Sequence, residues 1–122
     1  MDPEERYRLE PVEKMTADRI YEWRWALTVI EQALTRLKGE FETSNRLQLF
    51  EQLRTTLTSE GSKELYEEIA IAHGMTPGAV KAAVHRLRQR YGQLLREEVA
   101  HTVVAPDEVE EELRHLAEVL AE

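Results

Sequence analysis

Residues 62–91 read SKELYEEIAIAHGMTPGAVKAAVHRLRQRY and contain the strongest structural signals in the chain. A helix predicted over about residues 64–73 ends at Gly74, because glycine readily takes the left-handed conformation that stops a helix. Thr76 then supplies an N-cap, and Pro77 suits the first position of a second helix. Since one helix ends and the next begins only three residues apart, we expect the two helices to cross at a large angle, as in a helix-turn-helix.

The second helix has two chemically different sides. Its apolar residues recur at steps of four, three, four and three, which predicts a buried face of Val80, Val84, Leu87, Tyr91 and Leu94. The remaining surface holds Lys81, His85 and Arg88, with Arg86 and Arg90 beside them. The small side chains of Ala82 and Ala83 are expected to let a groove wall come close. DNA binding requires cations that contact phosphates and a few side chains that reach the edges of bases.

The charges are strongly segregated along the chain. The 122 residues carry a net charge of −8, with 24 acids and 16 bases. Residues 69–96 hold no acid and five bases, whereas residues 97–122 hold nine acids and one base. The overall acidity therefore does not argue against a nucleic-acid partner, because residues 69–96 form a basic island.

The rest of the chain predicts an all-α protein. Residues 1–15 read as a linker or flexible tail. Residues 16–57 predict a helical pair that begins at an N-cap, Thr16, and whose long first helix carries the apolar stripe Ile20, Trp23, Leu27, Ile30, Leu34, Leu37 and Phe41. Residues 106–122 predict an acidic C-terminal helix with a stripe of Val109, Leu113, Leu116 and Leu120.

Several function classes lack a sequence signal. The chain has no cysteine and no run of about 18 apolar residues, so we expect no disulfide, no cysteine-bound metal and no membrane span. The four histidines are scattered, the paired glutamates point in different directions on a helix, and no phosphate-binding glycine loop is present. We therefore expect a cytoplasmic protein without a cofactor or catalytic activity.

The motifs of residues 62–96 resemble region 4.2 of bacterial sigma factors of the extracytoplasmic-function (ECF) group. The resemblance is carried by four short runs, namely Tyr66-Glu67-Glu68-Ile69-Ala70, Gly74-Met75-Thr76, Gly78-Ala79-Val80-Lys81 and His85-Arg86-Leu87-Arg88. Residues 16–57 are similar in placement to region 4.1. The expected fold is a helical bundle with a C-terminal helix-turn-helix of the winged-helix-like or sigma region 4 type, followed by an extra acidic helix.

This resemblance implies recognition of a promoter −35 element in double-stranded DNA and docking on the β flap of RNA polymerase core. Lys81, Ala82, His85 and Arg86 match positions that contact bases or nearby backbone. Thr76, Gly78, Arg88 and Arg90 match positions near phosphates. The apolar face of residues 23–57 that the core does not use would contact polymerase. His73 departs from the family, which usually has an apolar residue there. Region 2, which melts the −10 element, is also missing, so this chain alone is not expected to initiate transcription.

Three alternatives remain open on the sequence. The first is a DNA-binding module that forms the C-terminal part of a longer factor. The second is a protein-interaction module for the polymerase flap or an anti-sigma factor. The third is a free-standing dimeric repressor whose long helix forms the dimer seam. The acidic C-terminal helix also suggests a hypothesis in which it folds over the basic helix and competes with DNA.

Overall fold

The computed structural model describes residues 16–121, and over this range the chain is helical with no β-strand. Five α-helices follow one another as α1 (Ala17–Thr43), α2 (Leu47–Leu53), α3 (Lys63–His73), α4 (Pro77–Ala100) and α5 (Val109–Ala121). Two 3₁₀ turns, Arg54–Leu57 and Pro106–Glu108, follow α2 and precede α5. The all-α prediction is confirmed. A wing is a β-hairpin, and residues 16–121 contain none. The predicted tail of residues 1–15 lies outside the described residues.

The N-cap predicted at Thr16 is confirmed, and α3 begins with a cap of the same kind. The side-chain oxygen of Thr16 accepts a hydrogen bond from the Arg19 N–H at 3.2 Å, which caps α1. Ser62 caps α3 in the same way through the N–H of Leu65, at 3.1 Å. Each cap satisfies a backbone donor that a helix N-terminus otherwise leaves without a partner.

Helix α2 is shorter than the sequence predicts for the second member of the helical pair in residues 16–57. Instead of continuing to residue 57, α2 tightens into the 3₁₀ turn after Leu53. The buried Thr56 hydroxyl donates to the Leu53 carbonyl at 2.6 Å, and this local bond competes with the regular helical pattern. The last helix is similar, because residues 106–108 form a 3₁₀ turn before the α-helix begins.

The core has two parts that share the long helices α1 and α4. The first cluster lies among α1, α2, α3 and α4, and includes Leu37, Phe50, Leu53, Ile69, Val80 and Val84. The second lies among α1, α4 and α5, and consists of Ala26, Val29, Val99, Leu116 and Val119. Leu95 packs against both clusters. Together, the two clusters fix α4 along most of its length.

The buried face of α1 differs from the predicted stripe. Ala26, Val29, Ala33 and Leu37 are buried, whereas Ile20 and Leu27 are 40% and 48% exposed. The predicted stripe is therefore only partly correct, and the inward face is rotated towards the two alanines. Small side chains at a helix crossing let two helices approach closely, and α1 packs against α4.

Candidate nucleic-acid interface

The turn between α3 and α4 has the local structure that the sequence predicts. Gly74 has φ 62° and ψ 36°, the left-handed conformation, and ends α3. The Met75 N–H donates to the Ala70 carbonyl at 2.8 Å, while the Thr76 side chain accepts from the Ala79 N–H at 3.1 Å. Only residues 74–76 therefore separate the two helices. Ala70 and Val80 are both buried in the first core cluster, which anchors the helices on either side of the turn.

Burial of one side of α4 decides which residues face solvent. Val80, Ala83, Val84, Leu87 and Leu94 are buried, so the predicted inner face is confirmed except that Tyr91 is only partly buried. Ala83 belongs to this inner face and does not line an outward surface as predicted. Burial raises the pKa of the Tyr91 hydroxyl.

The outermost line of α4 holds small or neutral side chains. At about 100° per residue, the side opposite Val80 carries Gly78, Ala82, His85 and Gln89, all of which are exposed. Lys81 lies at one edge of this line and Arg86 at the other. Gln89 was not singled out from the sequence, although it lies four residues after His85 and therefore on the same face.

Lys81, His85 and Arg86 are the members of the basic island that remain free for a ligand. All three are exposed, and none has a hydrogen bond or ion pair with any residue in the range 16–121. They lie in the first half of α4, next to the turn. This placement agrees with the outward positions that the sequence predicts for them.

Arg88 is instead held within the domain. Its Nε donates to the Thr56 carbonyl at 3.0 Å, and one terminal nitrogen donates to the Ser59 carbonyl at 3.4 Å. Arg88 lies only about 80° around the helix from Val80, which brings its guanidinium towards the end of the 3₁₀ turn. Its clearest role is to join α4 to the segment that follows α2.

Arg90 is paired with an acid from α1. Its Nε and one terminal nitrogen contact the Glu40 carboxylate at 2.9 and 2.6 Å. The hydrogen bonds from Arg90 are the main cause that lowers the pKa of Glu40, and the same bonds raise the pKa of Arg90. Both side chains are partly exposed, at 39% and 42%, so the pair is open to exchange with a phosphate.

Arg46 joins this basic surface from the turn between α1 and α2. It lines a small pocket of about 180 Å³ together with Arg86, Arg90 and Glu40. Its guanidinium lies 4.8 Å from the centre of the Phe41 ring, and its Nε donates to the Ser44 hydroxyl at 3.1 Å. No local sequence pattern indicates this residue, because it lies 40 positions before Arg86.

The N-terminus of α4 offers one further donor. Pro77 has no N–H, the Ala79 N–H is capped by the Thr76 side chain, and the Val80 N–H donates to the Thr76 carbonyl. The Gly78 N–H is therefore left in the first turn, and a Cβ at this glycine would meet nothing closer than 4.0 Å. The fold gives no steric reason for glycine here, and its absence of a side chain lets a ligand approach the backbone closely.

The acidic helix α5 lies on the other half of α4. Leu116 and Val119 pack in the second core cluster, and the Glu110 carboxylate forms an ion pair with Arg96. Arg36 of α1 pairs with Glu97 and Glu98 at 2.6 and 3.1 Å, and these hydrogen bonds raise the pKa of Arg36. Lys81, His85 and Arg86 have no contact of this kind with α5 or with any other described residue. In this arrangement α5 does not cover the exposed basic surface.

A larger groove of about 680 Å³ lies between α1 and α5, away from this surface. Its lining includes the carboxylates of Asp18, Glu22 and Glu112, so it repels phosphate rather than attracting it. His115 stacks on Trp25 there, with 5.6 Å between the ring centres. Within residues 16–121, no group of three or more acidic or histidine side chains is arranged to hold a metal ion.

His73 also has a defined place. It lies in the last turn of α3, and its ring nitrogen Nε2 is hydrogen-bonded to the side-chain oxygen of Gln52 in α2. The contact joins the helix before the turn to α2, so the histidine has a polar partner where the resembling family has an apolar residue.

Comparison with family models, with curated proteins and with solved structures gives no match to this chain. In the described range, no helix has the length and apolar character needed to cross a bilayer.

Proposed function

We propose that this chain is a sequence-specific DNA-binding module of the sigma region 4 type, with α3 and α4 acting as a helix-turn-helix. The observation that carries the proposal is the exposed first half of α4, where Lys81, His85 and Arg86 have no partner among the described residues. The two core clusters hold the opposite face of the same helix. A rigid helix with free cations beside the turn is suited to the major groove.

The surface supports a division of roles within the interface. His85, Gln89 and Ala82 lie on the outermost line of α4, so we assign them to base edges. Lys81 and Arg86 lie on the two flanks and are assigned to phosphates, as is the Gly78 N–H at the helix start, where Thr76 forms the cap. Arg46 and Arg90 extend the phosphate contacts on one side, with Arg90 exchanging Glu40 for a phosphate.

Arg88 is left out of this set of DNA contacts. Its hydrogen bonds to the Thr56 and Ser59 carbonyls would have to break before it reached a phosphate.

Docking on RNA polymerase, which the sequence resemblance implies, is the second part of the proposed function. The resemblance of residues 62–96 to region 4.2 is what supports this part.

Charge reversal of the free cations tests the DNA-binding part. The double variant Lys81→Glu/Arg86→Glu should lose binding to duplex DNA, measured by fluorescence anisotropy. The matched control, Lys63→Glu/Arg114→Glu, changes the net charge equally at exposed residues of α3 and α5 and should bind as the wild type does. Wild-type protein should also enrich a short motif from a randomised duplex library.

The salt dependence gives a second readout. With four cationic phosphate contacts, log K should fall with log[salt] at a slope of about −3 to −4. Equal binding by Lys81→Glu/Arg86→Glu and the control would overturn the proposal. If that double variant keeps DNA binding but no longer co-purifies with RNA polymerase core, the chain is a protein-interaction module instead.

A further inference from the structure

One side of α1 carries an apolar ridge that is not part of the core. We define the α1 ridge as Ile20, Leu27, Ile30 and Leu34. Within residues 16–121, these four belong to neither core cluster and are not among the residues packed against them. Leu27 is 48% exposed and Ile20 is 40% exposed, while Ile30 and Leu34 are partly buried. Ile20, Leu27 and Leu34 are spaced by seven residues, which places them in one line along the helix.

Two opposite charges lie beside this ridge without a partner. Arg24 and Glu31 are exposed, and neither side chain has a hydrogen bond or ion pair with any residue in 16–121. They are seven residues apart, which is about 10 Å along a helix, so they cannot pair with each other. Each is therefore available to a charge on another molecule.

We propose that a second copy of this chain covers the α1 ridge, with the two α1 helices antiparallel and Leu27 at the two-fold axis. Ile20 precedes Leu27 by seven residues and Leu34 follows it by seven, so Ile20 of each copy faces Leu34 of the other. Arg24 of each copy then lies one residue, or about 1.5 Å along the helix, from the level of Glu31 of the other copy, so the two long side chains can form two ion pairs related by symmetry. The ridge is thus complementary to itself in both shape and charge.

The charges select the antiparallel arrangement. In a parallel pair, the two-fold axis runs along the helices and places Arg24 and Glu31 of one copy on the opposite side of the seam from Arg24 and Glu31 of the other, so the two charges cannot meet. The antiparallel arrangement brings Arg24 and Glu31 of the two copies to the same side of the seam and pairs opposite charges at both ends. The surface lies on α1, while the DNA contacts proposed above lie on α4 and at Arg46, so the dimer and DNA binding can fail independently.

Sedimentation equilibrium on the full chain, from micromolar to millimolar concentrations, tests this proposal. We expect the wild type to form dimers and Leu27→Glu to be monomeric, because the substitution brings two carboxylates together at the two-fold axis. Leu27 lies outside both core clusters, so circular dichroism should show the same helix content and melting behaviour for this variant. DNA binding should be retained as a contact of the monomer.

A charge swap identifies the pairing itself. Arg24→Glu and Glu31→Arg should each raise the dimer dissociation constant by about tenfold or more. The double variant Arg24→Glu/Glu31→Arg should restore it, because the opposite charges then face each other with their places exchanged.

Three results would overturn the proposal. A wild-type chain that stays monomeric at millimolar concentration has no second copy on the ridge. If the double variant Arg24→Glu/Glu31→Arg dimerises as weakly as the single variants do, the antiparallel pairing is wrong. If Leu27→Glu leaves the oligomeric state unchanged but abolishes co-purification with RNA polymerase core, then polymerase is the occupant.

Discussion

Arg86 and Arg88 lie two residues apart on α4, yet truncating them should have opposite consequences. Arg86 has no partner among the described residues, whereas Arg88 donates to the carbonyls of Thr56 and Ser59 at 3.0 and 3.4 Å. Both substitutions with alanine remove one positive charge from the same helix. Any difference between them therefore reports the surroundings of each arginine.

The loss of stability expected for Arg88→Ala follows from the shorter hydrogen bond, which Arg88 donates to the Thr56 carbonyl. A bond from a charged donor contributes about 1.5–3 kcal/mol when buried, and partial exposure of this one reduces the expected loss to about 1–2 kcal/mol. For a domain of this size that loss lowers Tm by about 4–10 °C. Arg86→Ala should change stability by less than about 0.5 kcal/mol.

Thermal and urea unfolding, followed by circular dichroism, measure the stability of both variants. DNA affinity measured well below Tm should show the reverse order, with Arg86→Ala reducing the salt slope by about one and Arg88→Ala leaving it unchanged. The reasoning fails if Arg88→Ala is as stable as the wild type, or if it reduces the salt slope as much as Arg86→Ala does.

Three further predictions concern single residues near the turn and at the edge of the interface. The Glu40–Arg90 pair lowers the folded-state pKa of Glu40, so its contribution is complete above the ordinary carboxyl pKa of about 4.3 and is lost as pH falls through the lowered value. Glu40→Gln should therefore remove less than about 1 kcal/mol near neutral pH, and this difference should disappear in acid, as measured by urea unfolding. Gly74→Ala should cost about 1–2 kcal/mol in chemical denaturation, because φ is 62° there, although a Cβ would meet no atom within 4 Å. Gly78→Ala should instead stabilise the fold by about 0.5–1 kcal/mol and weaken DNA binding, measured by unfolding and anisotropy respectively.

Each of these predictions has a contradicting result. If Glu40→Gln lowers the free energy of unfolding equally at neutral and at acid pH, the substitution does not act by removing the ion pair. A neutral Gly74→Ala would show that the turn relaxes to another conformation. Tighter DNA binding by Gly78→Ala would remove this glycine from the interface.

Local signals were sufficient to predict the helix boundaries around the turn. Thr76, Pro77 and Gly74 act on their nearest neighbours, so residue type alone indicates their role, and the structure confirms all three. The buried face of α4 was also largely predictable, because a regular spacing of apolar residues defines it.

Long-range partners were not predictable in this way. Arg88 meets Thr56 and Arg90 meets Glu40, across 32 and 50 residues, and no local pattern indicates such pairs. The face of α1 was misjudged for a related reason. Its larger apolar residues predicted the inward side, but the packing against α4 favours Ala26 and Ala33, whose size matters only once the neighbouring helix is known.

The acidic helix α5 also stabilises the fold, because it contributes apolar side chains to the second core cluster. Leu116 and Val119 cover Val29 and Val99, so a chain shortened at residue 106 would present those apolar side chains to water. Such a truncation would mix the loss of negative charge with damage to the fold. Replacing the exposed glutamates of α5 by glutamine, while keeping its leucines and valines, separates the effect of its negative charge from the effect of its packing in the core.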